Sequence, residues 1–497
     1  MRRVIHICIS CILALAMTVA AGCAAAPELI GNDESIGLPE RSAPDGRSDA
    51  GEYPPADGSI PELSQSSQSS QSSQSSQPSQ PSQSSQPSQP SQPSQPSQPS
   101  QSSQSSQPSQ SSQSSQSSQG AQNTLSPHAP SGELRAVWFS YLDLSPMLKG
   151  KTRQQFANAI GGAFDEAAAL GMNAVIVQVR PFGDALYPSD YFPWSVYTSG
   201  TQGVSPGFDP LEVMISAARA RGLRIEAWVN PYRVRTADND PSKLADGNPA
   251  KRWIKEGSDA AIVTANGIYY NPARSEARQL IIDGVCEIVK NYDVDGIHFD
   301  DYFYPNPDRS FDEKAYSEYT AAGGALSLGD WRRENVDALV RDVYAAIKNI
   351  KPSVAFGISP QGNMSANYNS QYINVEKWVT NSGYVDYIMP QIYFGFNNSS
   401  CPYTETVAKW NRLIANKSIR LYIGLAPYKI GAKDNYAGNG RNEWLNHSDI
   451  LSRQVSTARG YAHYGGFAMF RYASLVSPSQ QTAAQVQKEL DNLKRIL

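Results

Sequence analysis

The sequence is poor in the residues that bind metals, form disulfides or contact nucleic acid. It has five histidines and five cysteines in 497 residues, and only Cys286 and Cys401 follow Cys23. Two isolated cysteines make neither a disulfide framework nor a zinc site. The formal net charge is -4, and no basic stripe occurs, although nucleic-acid binding normally needs one. We therefore expect no metal, no cofactor and no nucleic-acid partner.

Two further absences narrow the fold. No glycine-rich phosphate loop of the GxGxxG or Walker type occurs, and a doubly wound nucleotide-binding sheet normally carries one after its first strand. Beyond Cys23 the chain also lacks an apolar run long enough to cross a bilayer. These absences argue against a nucleotide-binding sheet and against a membrane-embedded body.

The first 22 residues have the pattern of an export signal. Arg2 and Arg3 precede the apolar residues 4–19, and the small residues 20–22 lead to Cys23. This arrangement resembles a bacterial lipoprotein signal, in which Cys23 is lipidated and becomes the mature N-terminus. Ordinary signal-peptidase cleavage in the alanine-rich stretch after Cys23 is the alternative. We expect an extracytoplasmic protein that is anchored to the bacterial cell membrane and contacts it only through this lipid.

Composition divides the rest of the chain into three segments. Residues 23–63 are polar, residues 64–132 form a spacer rich in Ser, Gln and Pro, and residues 133–497 have the mixed composition of a globular domain. The spacer repeats Ser-Ser-Gln and Pro-Ser-Gln with almost no apolar residue, so burial cannot offset the entropy of ordering it. We expect disorder in residues 23–132. A tether of useful length and a neutral low-complexity expansion both explain the repeat.

The globular segment predicts a (β/α)8 barrel, the TIM barrel. Short runs rich in Val and Ile alternate with helix-length segments, as in a parallel sheet that is buried on both faces. Eight such units predict a closed barrel with its active site at the C-terminal ends of the strands. The predicted strands are 134–141, 173–180, 224–230, 294–300, 354–359, 385–390, 421–425 and 466–471.

The fourth predicted strand ends in two adjacent carboxylates, Asp300 and Asp301. Alternation along the strand directs Ile297 and Phe299 to the helices, and directs His298 and Asp300 to the inside of the barrel. Two carboxylates in one cavity repel, which raises one pKa, and glycoside hydrolysis uses such a pair. Because adjacent residues point to opposite faces, the second catalytic carboxylate need not be Asp301. A purely structural aspartate that caps the next turn or pairs with an arginine is the alternative.

Other strand ends supply polar and aromatic side chains that suit sugar hydroxyls and ring faces. Asp184, in the loop after the second strand, is a candidate second carboxylate, or else a turn residue. Glu226 and Asp386 lie early in their strands, which favours a structural role. The candidates for substrate binding are Arg180, Asn230, Tyr232, His298, Tyr302, Gln391, Tyr393 and Arg471.

From Arg135 to about Tyr472 the chain resembles the glycosyl-hydrolase-like 10 family of bacterial envelope proteins. The resemblance implies a TIM barrel and, from the best-understood members, a lipoprotein that cuts peptidoglycan glycan strands stripped of their peptides. It rests on segments found in this order: LRAVW at 134–138, NAVIVQVRP at 173–181, DALY at 184–187, AWVNP at 227–231, DGIHFDDYFYP at 295–305, WRREN at 331–335 and MPQIY at 389–393.

A more distant likeness is to family 18 chitinases, whose fourth strand reads DGxDxDxE. Asp295, Gly296 and Asp300 match that spacing, but His298 replaces an aspartate and Tyr302 stands where the catalytic glutamate would be. The substrate-assisted mechanism of that family is therefore not carried over to this chain.

The first functional hypothesis is a hydrolase of an amino-sugar polymer, the peptidoglycan glycan backbone, that acts through Asp300, Asp301 and Asp184. A second hypothesis is a glycan-binding envelope module that keeps the barrel without catalysis. A third is a hydrolase of another polysaccharide. In all three the partner is a polysaccharide.

Overall fold

The computed structural model describes residues 132–305 and 308–497. The predicted signal with Cys23, the predicted segment 23–63 and all but the last residue of the predicted spacer 64–132 lie outside the described residues. In the described residues, no helix combines the length and the apolar character needed to cross a membrane. The strands are β1 (Leu134–Phe139), β2 (Ala174–Arg180), β3 (Arg224–Val229), β4 (Arg233–Thr236), β5 (Ala261–Thr264), β6 (Gly267–Tyr270), β7 (Gly296–Phe299), β8 (Ala355–Ile358), β9 (Tyr387–Ile388), β10 (Arg420–Leu425) and β11 (Tyr464–Met469).

Eight of these strands close into a parallel barrel in the order β1-β2-β3-β7-β8-β9-β10-β11, which confirms the predicted fold. The helices between and around them are α1 (Tyr141–Leu148), α2 (Arg153–Ala169), α3 (Val196–Ser199), α4 (Pro210–Arg219), α5 (Pro249–Lys255), α6 (Ser275–Asn291), α7 (Glu313–Ala321), α8 (Leu328–Ile350), α9 (Met364–Asn369), α10 (Val375–Thr380), α11 (Tyr403–Leu413), α12 (Glu443–Asn446), α13 (Ile450–Ala458), α14 (Tyr472–Val476) and α15 (Ala483–Lys494).

Capping residues in the local sequence stabilise the first turns of helices α2 and α4. At the start of α2, the Thr152 side chain accepts from the Gln155 N–H at 3.2 Å, and the Gln155 side chain accepts from the Thr152 N–H at 3.0 Å. This reciprocal capping box satisfies two N–H groups that the first helical turn leaves free. At the start of α4 the Asp209 side chain accepts from the Leu211 and Glu212 N–H groups at 3.0 and 3.2 Å. Pro210 occupies the first turn of α4, where its missing N–H costs nothing.

The structure adds a feature that the sequence patterns did not predict. β4, β5 and β6 form a separate three-stranded antiparallel sheet between β3 and β7. These strands have four residues each and carry charged or exposed residues such as Arg235 and Val263, so they lack the continuous apolar pattern of a barrel strand. The insertion extends the third strand-to-helix connection on the mouth side of the barrel.

The sixth barrel strand is shorter than predicted, because only Tyr387 and Ile388 form β9. Before it, the Asp386 carboxylate rather than a strand carbonyl accepts from the Phe356 N–H at 2.7 Å. After it, Pro390 has no N–H to donate to the ladder.

Alternation separates two cores. Side chains such as Val137 and Phe139 pack outward against the helices, whereas Leu134, Ala136 and Trp138 fill the barrel interior. Glycines make room for large groups inside. A Cβ on Gly357 would lie 2.0 Å from the Tyr387 ring, and one on Gly296 would lie 2.9 Å from the Glu226 carboxyl carbon. The interior is therefore a packed core whose last inward residues face the mouth.

Candidate active site

Asp300 follows β7 directly and is buried at the barrel mouth, with 3% of its surface exposed. Its Oδ2 accepts from Trp228 Nε1 at 3.3 Å and from the side-chain amide of Asn230. Its Oδ1 accepts from the Tyr302 backbone N–H at 3.2 Å. Three donors from two neighbouring segments therefore fix the orientation of this carboxyl group.

Asp301 is also buried, but different residues hold it. Its Oδ1 accepts from Gln391 Nε2 at 3.0 Å, and its Oδ2 accepts from Gln371 Nε2 at 3.0 Å. The Gln391 amide also donates to the Ser359 carbonyl at 2.9 Å, which fixes that side chain. The two adjacent carboxyl groups are thus oriented independently, Asp300 from the β3 side and Asp301 from the segments after β8 and β9.

Burial shifts the titration of both groups. Loss of hydration, followed by the nearby charge of Asp301, raises the pKa of Asp300 to about 7, although Arg233 opposes the shift. Burial also raises the pKa of Asp301, against the amide donors that favour its charged form. Near neutral pH the pair can therefore hold a proton and a negative charge together, which is the condition that acid–base chemistry needs.

A narrow cavity of about 20 Å³ adjoins the two carboxyl groups, with room for about one water-sized group. Aromatic rings dominate its wall. We call it the inner cavity, and it is lined by Trp138, Ser140, Tyr141, Leu142, Gln178, Trp228, Arg233, Asp300, Asp301, Tyr302, Ser359, Gln391, Tyr393 and Phe470.

A wider cavity of about 380 Å³ shares four of these lining residues. It extends toward the segment that follows β10, which contributes exposed tyrosine and lysine side chains. We call it the rim cavity, and it is lined by Asp301, Tyr302, Gln361, Gly362, Asn363, Gln391, Tyr393, Phe394, Tyr428, Lys429, Ala432, Lys433, Asp434, Asn435 and Tyr436.

His298 lies beneath the inner cavity, fully buried. Trp138 Nε1 can only donate, so His298 Nε2 accepts this hydrogen bond of 3.2 Å. Burial lowers the pKa of His298 to about 3, so the ring is neutral and its Nδ1–H donates to the Tyr387 hydroxyl at 2.9 Å. Tyr387 in turn donates to Glu226, which Arg224 also holds. His298 therefore supports the cavity floor and does not line either cavity.

Four of the sequence-predicted residues line the cavities together, namely Asp301, Tyr302, Gln391 and Tyr393, and Asp300 lines the inner one. Asn230 lines neither cavity, but its side-chain amide donates to the Asp300 carboxylate. The carboxylates Glu226 and Asp386, to which the sequence assigned structural roles, bind neighbouring strands and helices. Glu226 pairs with Arg224 at 2.8 Å, and Asp386 pairs with Lys348 at 2.7 Å.

Arg180 lies away from both cavities, contrary to the expectation from its strand position. Gln178, two residues earlier, faces the mouth and donates to Asn230 at 2.7 Å. The pairing of β2 with β3 shifts register between Gln178 and Arg180, and the shift directs Arg180 outward. Its guanidinium carbon lies 4.2 Å from the Phe192 ring centroid, fully buried.

Three other predicted site residues also lie outside the lining of the two cavities. Tyr232 is buried against Phe303, with ring centroids 6.4 Å apart. Asp184 is buried and accepts from Gln202 at 2.8 Å, and burial raises its pKa to about 6. Arg471 pairs with Asp143 at 2.6 Å. Their side chains are engaged within the connecting loops, where strand alternation does not predict direction.

The structure also brings in residues that sequence reasoning did not select. Trp138, Trp228 and Phe470 form much of the inner wall, and Arg233 lies over the Tyr302 ring at 5.1 Å from guanidinium carbon to centroid. A signal for the tryptophans was present, because each is the last inward-facing residue of its strand. In residues 132–305 and 308–497, no group of three or more His, Cys, Asp or Glu side chains is arranged to hold a metal ion.

The chain is similar in sequence to a described protein family and to several known proteins. The model of the family described as Glycosyl hydrolase-like 10 matches residues 133–439. Glycosyl hydrolase YngK of Bacillus subtilis (strain 168) is 37% identical over 351 residues, covering 67% of this chain and 68% of that protein. Glycosyl hydrolase DigH of Escherichia coli (strain K12) is 34% identical over 370 residues, covering 68% of this chain and 80% of that protein.

Among solved structures, the PgaB (BpsB) glycoside hydrolase domain from Bordetella bronchiseptica is similar with a TM-score of 0.45. The sequences are 12% identical, and the match covers 71% of this chain and 98% of that one.

Proposed function

The chain belongs to the glycosyl hydrolase-like 10 family, and from this premise we propose that it is an O-glycoside hydrolase of an amino-sugar polymer, the glycan backbone of peptidoglycan. The observation that carries the proposal is the buried pair Asp300 and Asp301 beside an aromatic-walled cavity at the barrel mouth. Glycoside hydrolysis needs one carboxylic acid and one carboxylate near the scissile bond.

In the proposed mechanism, Asp300 is the general acid. Its raised pKa keeps a proton available near neutrality, and this proton passes to the glycosidic oxygen as the bond to the anomeric carbon breaks. Asp301 stabilises the positive charge that develops on the sugar, and Gln391 holds Asp301 in place. The ionised Asp300 then accepts a proton from the water that completes hydrolysis.

Two features of the chain, the aromatic surface at the barrel mouth and the N-terminal region, support the proposed substrate. The exposed rings of Tyr428 and Tyr436 at the rim cavity, next to Tyr393, suit sugar rings. The N-terminal pattern that ends at Cys23 and the long Ser/Gln/Pro spacer suit an enzyme tethered to a membrane and working in a surrounding polymer. The family resemblance of the DGIHFDDYFYP segment also favours peptide-free peptidoglycan glycan.

The test uses the full chain and purified glycan strands freed of peptides. We expect new reducing ends and shorter strands, and no release when Asp300→Asn replaces the parent. Binding without any change in strand length would support the glycan-binding module instead. New reducing ends from α- or β-glucans in a parallel panel, but not from peptidoglycan strands, would indicate that the enzyme hydrolyses another polysaccharide.

We also propose that Cys23 is lipidated and anchors the enzyme outside the cytoplasm. The expected result is membrane fractionation of the parent chain and release of Cys23→Ala, with a hydrophobic mass added to the parent only. Release of both forms would favour ordinary signal-peptidase cleavage.

A further inference from the structure

The segment after β10 forms one wall of the rim cavity and carries two lysines of different character. Lys429 is half-buried and fully engaged: its Nζ donates to the Tyr393 carbonyl at 2.8 Å and pairs with Asp434 at 2.7 Å. Asp434 is buried, with 7% of its surface exposed. The Lys429–Asp434 pair is therefore a neutral brace that shapes this segment and connects it to Tyr393.

Lys433 lines the same cavity and is exposed. Across residues 132–305 and 308–497, no hydrogen bond or ion pair engages its ammonium group. Because Asp434 is already neutralised by Lys429, the segment leaves one uncompensated positive charge at the rim. That charge faces a cavity of about 380 Å³ that adjoins the catalytic Asp301.

The remaining wall suits a sugar chain. Tyr428 and Tyr436 are exposed by 44% and 51%, unusually for such large rings. Tyr428 packs edge-on against Tyr393, with centroids 5.9 Å apart, so the aromatic surface continues from the inner cavity to the rim. A polymer that leaves the catalytic carboxylates along this surface would carry its next residues past Lys433.

On the basis of the proposed function, we propose that the rim cavity is a subsite for a sugar that bears a carboxylate, and that Lys433 is the specificity-determining residue that binds this carboxylate. Glycan strands freed of peptides present such a group, because alternate sugars carry a lactyl carboxylate. The ammonium group recognises that charge, while Tyr428 and Tyr436 contact the ring.

The test compares two forms of one polymer: peptide-free glycan strands, and the same strands after reduction of their carboxyl groups to alcohols. An exposed ion pair is worth less than about 1 kcal/mol, so we expect the parent to prefer the carboxylate form by roughly two- to fivefold in kcat/KM at low salt. The preference should shrink as salt rises. Lys433→Met should lose it, and Lys433→Glu should invert it.

Lys417→Met is the matched control, because Lys417 is exposed and precedes β10, at the opposite end of the barrel from the mouth. It should keep the parental preference. Cleavage of both strand forms at equal rates by the parent, or an unchanged preference in Lys433→Met, would overturn the subsite proposal while the proposed hydrolase stands.

Binding to the Asp300→Asn chain, measured by titration calorimetry with the same two strand forms, separates the subsite from turnover. If the parent cleaves neither strand form, but binding still prefers the carboxylate form and this preference depends on Lys433, the hydrolase proposal fails and the subsite proposal stands. No preference in binding would overturn the subsite whatever the activity.

Discussion

Replacing Asp300 with asparagine removes the charge of one carboxyl group and keeps its shape. In the folded protein its pKa rises from 3.8 to about 7, and each unit corresponds to about 1.4 kcal/mol. Ionisation of Asp300 therefore lowers the free energy of unfolding by up to about 4 kcal/mol relative to ionisation of an exposed aspartate. Because the folded-state pKa is the higher one, the stability that this group contributes is present below pH 3.8 and is lost as the pH rises through about 7.

Asparagine cannot ionise, so it escapes this cost at high pH. Its carbonyl oxygen can still accept from Trp228 and Asn230, but its amide cannot accept from the Tyr302 N–H. That loss costs about 1 kcal/mol. We expect the variant to be less stable than the parent by about 1 kcal/mol at pH 3, below the ordinary pKa of 3.8, and more stable by up to about 3 kcal/mol at pH 9.

A folded body of this size loses roughly 0.8 kcal/mol of stability per degree near its midpoint. The melting temperature of the variant should therefore pass from about 1 °C below the parent to about 4 °C above it between these pH values. Release of reducing ends should fall by about 10²- to 10⁴-fold, the usual contribution of a general acid. Exposed Asp491 on α15 offers a matched Asp491→Asn control, which should keep parental activity. An equal melting difference at both pH values, or full activity, would refute the reasoning.

Three further predictions follow from the same contacts. For the parent, kcat/KM should fall as the pH rises through about 7, because Asp300 loses its proton. Asn230→Leu removes a hydrogen-bond donor to the ionised Asp300 carboxylate, so the pH at which kcat/KM falls should rise. If this pH does not change, another group is the general acid. Asp184→Asn should retain activity within a few-fold, because Asp184 lines neither cavity, and a hundredfold loss would make it the second catalytic carboxylate. Tyr387→Phe removes a donor to buried Glu226 and should lower the free energy of unfolding by about 1–3 kcal/mol, with denaturation in urea as the measurement and no change as the contrary result.

The barrel could be predicted because each strand has a recognisable apolar pattern in its own local sequence. Continuous apolar runs fix the eight strands, and alternation correctly directs His298 inward and Phe299 outward. The mouth position of Asp300 followed from the same rule. Such predictions use only local periodicity, which survives without any knowledge of tertiary contacts.

Other parts of the site depend on pairing that sequence does not reveal. Arg180 leaves the mouth because the β2–β3 ladder shifts register, and neither strand shows this alone. The orientation of Asp301 depends on Gln371 and Gln391, which are 70 and 90 residues away. The rim depends on Lys429 and Asp434 meeting within one loop. The first two features depend on contacts between residues distant in sequence and the third on a contact within one loop, and residue type alone predicts none of these contacts.

The hydrogen-bonded series from Trp138 through His298 and Tyr387 to Glu226 draws on four different barrel strands. A change in any member would leave a buried polar group without its partner, so the floor of the inner cavity resists evolutionary drift. Exposed Lys433, in the rim segment after β10, has no such constraint among the residues that the structure describes. Specificity within this family should therefore diversify at the rim while the floor stays constant, and an engineer who wishes to redirect the enzyme to another polymer should exchange that segment first.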